Sequence, residues 1–181
     1  MVTGQWLAFS AMSRMDALGN FWRCGRLALA CPFFVPVEKL ENGTWLHATR
    51  LPLGCGWSGL CTAPGHEDET PSHDDLQQFC NLGYAQGCGR LPKDREWDSI
   101  RFGARTLGAD KQNGTGSRIQ VRYVCERDHR PVEQGMLEFD AAGNRQEPRH
   151  HDARLQRMAE CFVESYLEKR KRRGTTTAIA S

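Results

Sequence analysis

Arg118-Ile119-Gln120-Val121-Arg122-Tyr123-Val124-Cys125-Glu126 is the stretch around which the chain organises itself. Ile119, Val121, Tyr123 and Cys125 fall on one side of an extended backbone, and Gln120, Arg122, Val124 and Glu126 on the other. A period of two marks a strand with one buried face. Upstream, Ser99–Leu107 sets Ile100, Phe102 and Ala104 against Arg101, Gly103 and Arg105; downstream, residues 136–140 place Leu137 and Phe139 together. Turn-rich segments separate the runs, at residues 108–116 and at Ala142-Gly143-Asn144. Consecutive strands joined in this way form an antiparallel meander, whose apolar face needs a cover.

The cover follows directly. Over residues 152–170, Leu155, Met158, Ala159, Phe162, Val163, Tyr166 and Leu167 recur at steps of three and four, an apolar stripe along a helix of about five turns. Asp152 stands at its start and the basic run Lys169, Arg170, Lys171, Arg172, Arg173 at its end, as the helix dipole favours. Gly174 is expected to stop the helix and to leave residues 174–181 as a disordered tail.

Ahead of the sheet the texture is different. Residues 1–20 show no sustained period and read as a weakly structured extension, with Met12 and Met15 as later potential starts. Residues 31–92 are loop-rich and punctuated by glycine. One helix is written there: Ser72 as cap, Asp75 as the capping-box acid, then Leu76, Phe79 and Cys80 on one face, with Gly83 as a left-handed stop. The domain reading is one compact unit over residues 21–173, made of a cysteine- and glycine-rich part (21–92) and a sheet-plus-helix part (93–173). The fold class is α+β.

Six of the eight cysteines fall between Cys24 and Cys88. Cys125 shares the inward face of its strand and reads as a small buried hydrophobe. Cys161 lies off the apolar stripe, near the polar side, and reads as an exposed or half-exposed free thiol. Cys80 and Cys88 bracket a turn with two glycines, which lets backbone N–H groups approach sulfur. Cys61 closes a glycine-rich turn, and Cys31 precedes proline, as cluster ligands do in ferredoxin-type sequences. Cys31, Cys61, Cys80 and Cys88 are therefore the expected metal ligands, with Cys55 and Cys24 as substitutes. The chain has no Cys-x-x-Cys knuckle, and wide spacing favours an iron–sulfur cluster, such as 4Fe–4S, over zinc. Phe33, Phe34, Trp57, Phe79 and Tyr84 are available to screen it from water.

Other constellations point elsewhere. His66, Glu67, Asp68 and Glu69, with His73, Asp74 and Asp75, read as a solvated acidic loop, and His150-His151 as surface. Gly56-Trp57-Ser58-Gly59 lacks the glycine that a nucleophile elbow needs at Leu60, and Gly114-Thr115-Gly116 lacks the lysine of a phosphate loop. No catalytic constellation is recognisable. A net charge of +2 provides no broad basic face, so nucleic acid is disfavoured and the basic run after Glu168 reads as solvated helix end. The apolar runs are too short for a membrane span, and no secretory leader is evident, which gives a cytoplasmic expectation. The leading functional expectation is a small iron–sulfur protein acting as a redox or accessory component with a redox or protein partner. The alternatives are a zinc-stabilised nucleic-acid or protein-interaction module and a metal-free α+β domain.

Overall fold

The computed structural model describes residues 29–40, 45, 51–83, 87–108, 117–140, 143–144 and 149–179, the last seven by backbone only. The expectations for residues 1–20 and for Cys24 and Tyr84 lie outside them.

The fold is mixed, with two antiparallel sheets and a C-terminal helix. β4 (Ser99–Leu107), β5 (Arg118–Arg127) and β6 (Arg130–Asp140) form the expected meander, with Phe102 opposite Tyr123 and Ile119 opposite Phe139. The inward residues Ile100, Val121, Cys125 and Phe139 are wholly buried. β6 is longer than the period-two run at residues 136–140 revealed, because its first half carries polar residues on both faces. β1 (Leu29–Ala30) adds a fourth strand beside β4. A second, two-stranded sheet joins β2 (Phe34–Lys39) to β3 (Trp57–Cys61), within the part expected to be loops. Pro36 and a register shift between Pro36 and Glu38 had broken the strand pattern in the sequence.

α2 (Ala153–Ile179) spans about 40 Å. Asp152 caps it, accepting the backbone N–H groups of Arg154 (2.8 Å) and Leu155 (3.3 Å). Gly174 does not stop it: the backbone stays helical to Ile179, so the expected tail from residue 174 is corrected. Glycine costs a helix only about 1 kcal/mol, which neighbouring turns can carry.

The helix is covered on two sides. Leu155, Met158, Ala159 and Val163 are buried, and the Phe162 ring stacks on Phe102 on the side of the large sheet. On another side, Arg157 donates to the carbonyls of Pro36 (3.0 Å) and Val37 (3.1 Å), Glu168 pairs with Lys39, and Ser165 meets the Cys55 sulfur at 3.1 Å. Cys161 shares the four-residue row of Arg157 and Ser165 and is fully buried. Its expected exposure is therefore wrong, since a single-stripe reading assumes one covered face. The basic side chains from Lys169 to Arg172 are exposed.

The β5–β6 turn shows how the meander is closed. Asp128 (φ 49°) and His129 (φ 61°) are both left-handed between paired Arg127 and Arg130, the conformation of a two-residue type I′ hairpin. Asp98 holds this turn: its carboxylate accepts the Asp128 N–H (2.6 Å) and Arg95 Nε–H (2.6 Å). Replacing His129 by glycine should stabilise the protein by about 0.5–1 kcal/mol, because glycine adopts this conformation without strain. Asp98→Ala should destabilise it by about 2–3 kcal/mol, through loss of two charged hydrogen bonds. Urea midpoints of the two variants check both signs.

Candidate metal centre

Cys31, Cys61, Cys80 and Cys88 line one pocket, together with Phe33, Phe34, Ala63, Phe79, Arg90 and Leu91. Four separate chain segments supply the sulfurs, and each arrives for an identifiable reason. The β2–β3 ladder ends with Phe34 opposite Cys61. A turn from Cys31 to Phe34, closed by Phe34 N–H on the Cys31 carbonyl (3.3 Å), therefore brings Cys31 beside Cys61. Thr62 fixes that junction through its N–H (2.8 Å) and hydroxyl (3.0 Å), both on the Phe33 carbonyl. Cys61 is itself clamped to the following loop: its N–H reaches the Glu69 carbonyl, and its carbonyl accepts Asp68 N–H, both at 2.8 Å.

Cys80 comes from the helix that Ser72 starts. The expected capping box is present, with Ser72 and Asp75 exchanging hydrogen bonds, and α1 (His73–Asp75) runs into a π-helical turn over Leu76–Cys80. A widened turn is what single-turn π segments at functional sites supply. Its end is fixed by Asn81, which is 2% exposed. Asn81 accepts the Trp57 N–H (2.9 Å) and donates to the carbonyls of Trp57 (3.0 Å) and Leu76 (3.1 Å). The amide thus behaves as one more strand partner for β3 and ties Cys80 to the strand that ends in Cys61. Sequence reasoning missed Asn81, because an asparagine after a helix reads as a cap and its partner lies 24 residues away.

Gly83 is not in the left-handed conformation assigned to it. Its N–H bonds the Leu29 carbonyl, and an added Cβ would sit 2.4 Å from the Leu29 side chain. Glycine is required there by close approach to β1. Gly87 passes over the Phe79 ring in a similar way, bringing Cys88 to the pocket, where Leu91 N–H closes a turn on the Cys88 carbonyl (3.2 Å).

Cys31, Cys61 and Cys80 are buried, while Cys88 is partly exposed. Burial pushes the Cys31 thiol up to about 12; the N–H groups of Phe33 and Phe34, donating to its sulfur, oppose this, and Cys88 and Cys61 add to it. Burial and then Cys31, Cys88 and Cys61 hold the Cys80 thiol well above its ordinary range. Burial and neighbouring sulfurs thus keep the Cys31 and Cys80 thiols protonated, and a bound cation is what would let them ionise. Tetrahedral zinc with bonds of 2.3 Å would hold its sulfurs about 3.8 Å apart. Among the described residues, three or more donor atoms lie within 4.8 Å of one another at Glu133, His150 and His151, not at the cysteines. No three of the described cysteine sulfurs lie within 4.8 Å of one another.

Cys55 does not line this pocket; it faces Ser165 and Lys39 beside α2. Cys125 is fully buried under the sheet. His66 and Glu69 pair at 3.1 Å on the exposed loop.

His150, expected at the surface, is buried. Its Nδ1 accepts the Asp152 N–H (3.0 Å), which leaves the proton on Nε2, facing Glu133 (3.1 Å) and Tyr123 Oη (3.0 Å). A metal on Nε2 would need the opposite tautomer. His150, through Tyr123, Glu133 and Asp152, is a hydrogen-bonded tie between β5, β6 and the start of α2, and the His151 ring stacks on it.

Comparison with protein-family models, curated proteins and solved structures gives no match.

Two outcomes follow from this geometry. Asn81→Ala should lower stability by about 2–3 kcal/mol, since the Trp57 N–H and carbonyl lose the amide and the Leu76 carbonyl keeps only the Asn81 backbone N–H, measured by denaturant titration. In native buffer Cys125 and Cys161 should both label slowly with a maleimide while Cys88 labels first, read by mass spectrometry of digested protein. Fast labelling of Cys161 would contradict the two-sided cover of α2.

Proposed function

We propose that the protein binds an iron–sulfur cluster through Cys31, Cys61, Cys80 and Cys88 and serves as a redox or accessory component. The observation that carries this reading is the meeting of four cysteines, from four segments, in one pocket walled by Phe33, Phe34, Phe79 and Leu91. Four cysteines lining one pocket are the donor set that such a cluster takes. Aromatic and aliphatic walls are what a cluster needs to escape hydrolysis, and N–H groups donating to the Cys31 sulfur are a means of tuning its potential. A cluster in such a pocket exchanges single electrons with a partner protein. Its edge toward that partner would be Cys88, the partly exposed member of the set.

Purification without oxygen tests the reading. The expected product is brown, with iron and acid-labile sulfide in equal amounts. Cys80→Ser/Cys88→Ser should lose both and melt about 5–10 °C lower, as metal binding energy is folding energy. Cys55→Ser and Cys125→Ser should retain iron. A double variant that keeps its iron would refute the ligand assignment, and stoichiometric zinc without sulfide would refute the cluster.

A further inference from the structure

Among the described residues lining the cysteine pocket, Arg90 alone carries a permanent charge. Its position is fixed on two sides. Nη1 bonds Asp75 Oδ2 at 2.9 Å, and Nε lies 3.4 Å from Glu69 Oε2. Asp75 is in turn held by Ser72 in the capping box, so the guanidinium is anchored to the helix that delivers Cys80. Glu69 belongs to the bridge that fixes Cys61. Arg90 lies two residues beyond Cys88 and thus touches the frame of three of the four sulfurs.

Its side chain is 24% exposed, so water screens the guanidinium only in part. The Asp75 carboxylate, and behind it the Cys61 sulfur and Glu69, hold the guanidinium pKa above its usual value.

We infer that Arg90 sets the electron affinity of the metal group in this pocket, stabilising the reduced state by its fixed positive charge. The inference rests on the iron–sulfur reading. Every electron entering a cluster held by four thiolates adds negative charge to a site with few countercharges. A cation held nearby favours that state, and partial burial preserves the effect. Asp75 and Glu69 have two consequences: they position the guanidinium, and they offset part of its charge. Arginine suits the task because its planar fork can meet both carboxylates at once, which the single ammonium of lysine does less well. A purely structural Arg90 would tie the 87–91 turn to α1 and leave the potential unaltered.

The test is a potentiometric titration of the full-length protein with dithionite as electron donor, followed by visible absorbance and electron paramagnetic resonance. Arg90→Met at wild-type iron and sulfide content should be reduced at a lower potential. Arg90→Lys, which keeps the charge, should lie between it and wild type. Asp75→Asn removes an offsetting negative charge while retaining an oxygen acceptor, and should shift the potential upward; it decides the matter if Arg90→Met cannot hold a cluster. An iron-loaded Arg90→Met at the wild-type potential, or an unshifted Asp75→Asn where Arg90→Met is empty, overturns the role of Arg90 and leaves the cluster standing. Wild-type protein without iron and sulfide overturns both.

Discussion

The burial of α2 on two sides is the constraint on which the architecture depends. One side covers the β4–β5 face through Leu155, Met158, Ala159 and Val163. Another receives β2 and its flanking loop, through Arg157 on the Pro36 and Val37 carbonyls and through Ser165 on Cys55. Without that second contact the β2–β3 pair would have little to rest on, since an isolated two-stranded sheet is marginal in water. With it, the hairpin is rigid enough to fix Phe34 opposite Cys61, and the cysteine pocket inherits that rigidity. One hydrophobic cluster runs through Cys31, Phe34, Trp57 and Cys80 to Phe139 and Met158, so the site belongs to the core of the whole molecule.

Asn81 is the local counterpart. A buried amide with all three hydrogen bonds directed at backbone is costly to satisfy by chance and rigidifies what it joins. It converts a helix end and a strand start, far apart in sequence, into one unit. The π-helical turn before it ends on Cys80, which lines the pocket.

The meander and its cover were legible because each announces itself through a period: two for Ile119, Val121, Tyr123 and Cys125, and three-to-four for Leu155 through Val163. The capping box of Ser72 and Asp75 was legible because its two partners are three residues apart. What stayed hidden depends on distant partners. Cys161 is buried by β2 and its loop, about 120 residues away, as the Arg157 contacts one turn before it show. Gly83 answers to Leu29, and His150 to Tyr123 and Glu133. The β2–β3 pair was masked by Pro36 and a bulge. The convergence of the four chosen cysteines is visible only in three dimensions; from sequence, Cys55 was an equal substitute, and its place beside Lys39 and Ser165 separates it from them.

The same core explains why a metal here would consolidate the fold rather than create it. As neutral thiols the four cysteines are acceptable small hydrophobes, and the cavity they enclose is about 20 Å³. At roughly 24 cal/mol per Å³, such a gap costs only ~0.5 kcal/mol. A chain of this size buries enough elsewhere, under α2 and within the meander, to hold its shape without a metal. That sets it apart from small zinc modules, which have no core until the ion arrives. Metal uptake would instead displace protons from Cys31 and Cys80, whose thiols burial holds above their ordinary range, and so would become more favourable as pH rises. A cluster is larger than that gap, so its entry would have to spread the four cysteine segments, with Cys88 at the edge and Arg90 beside it.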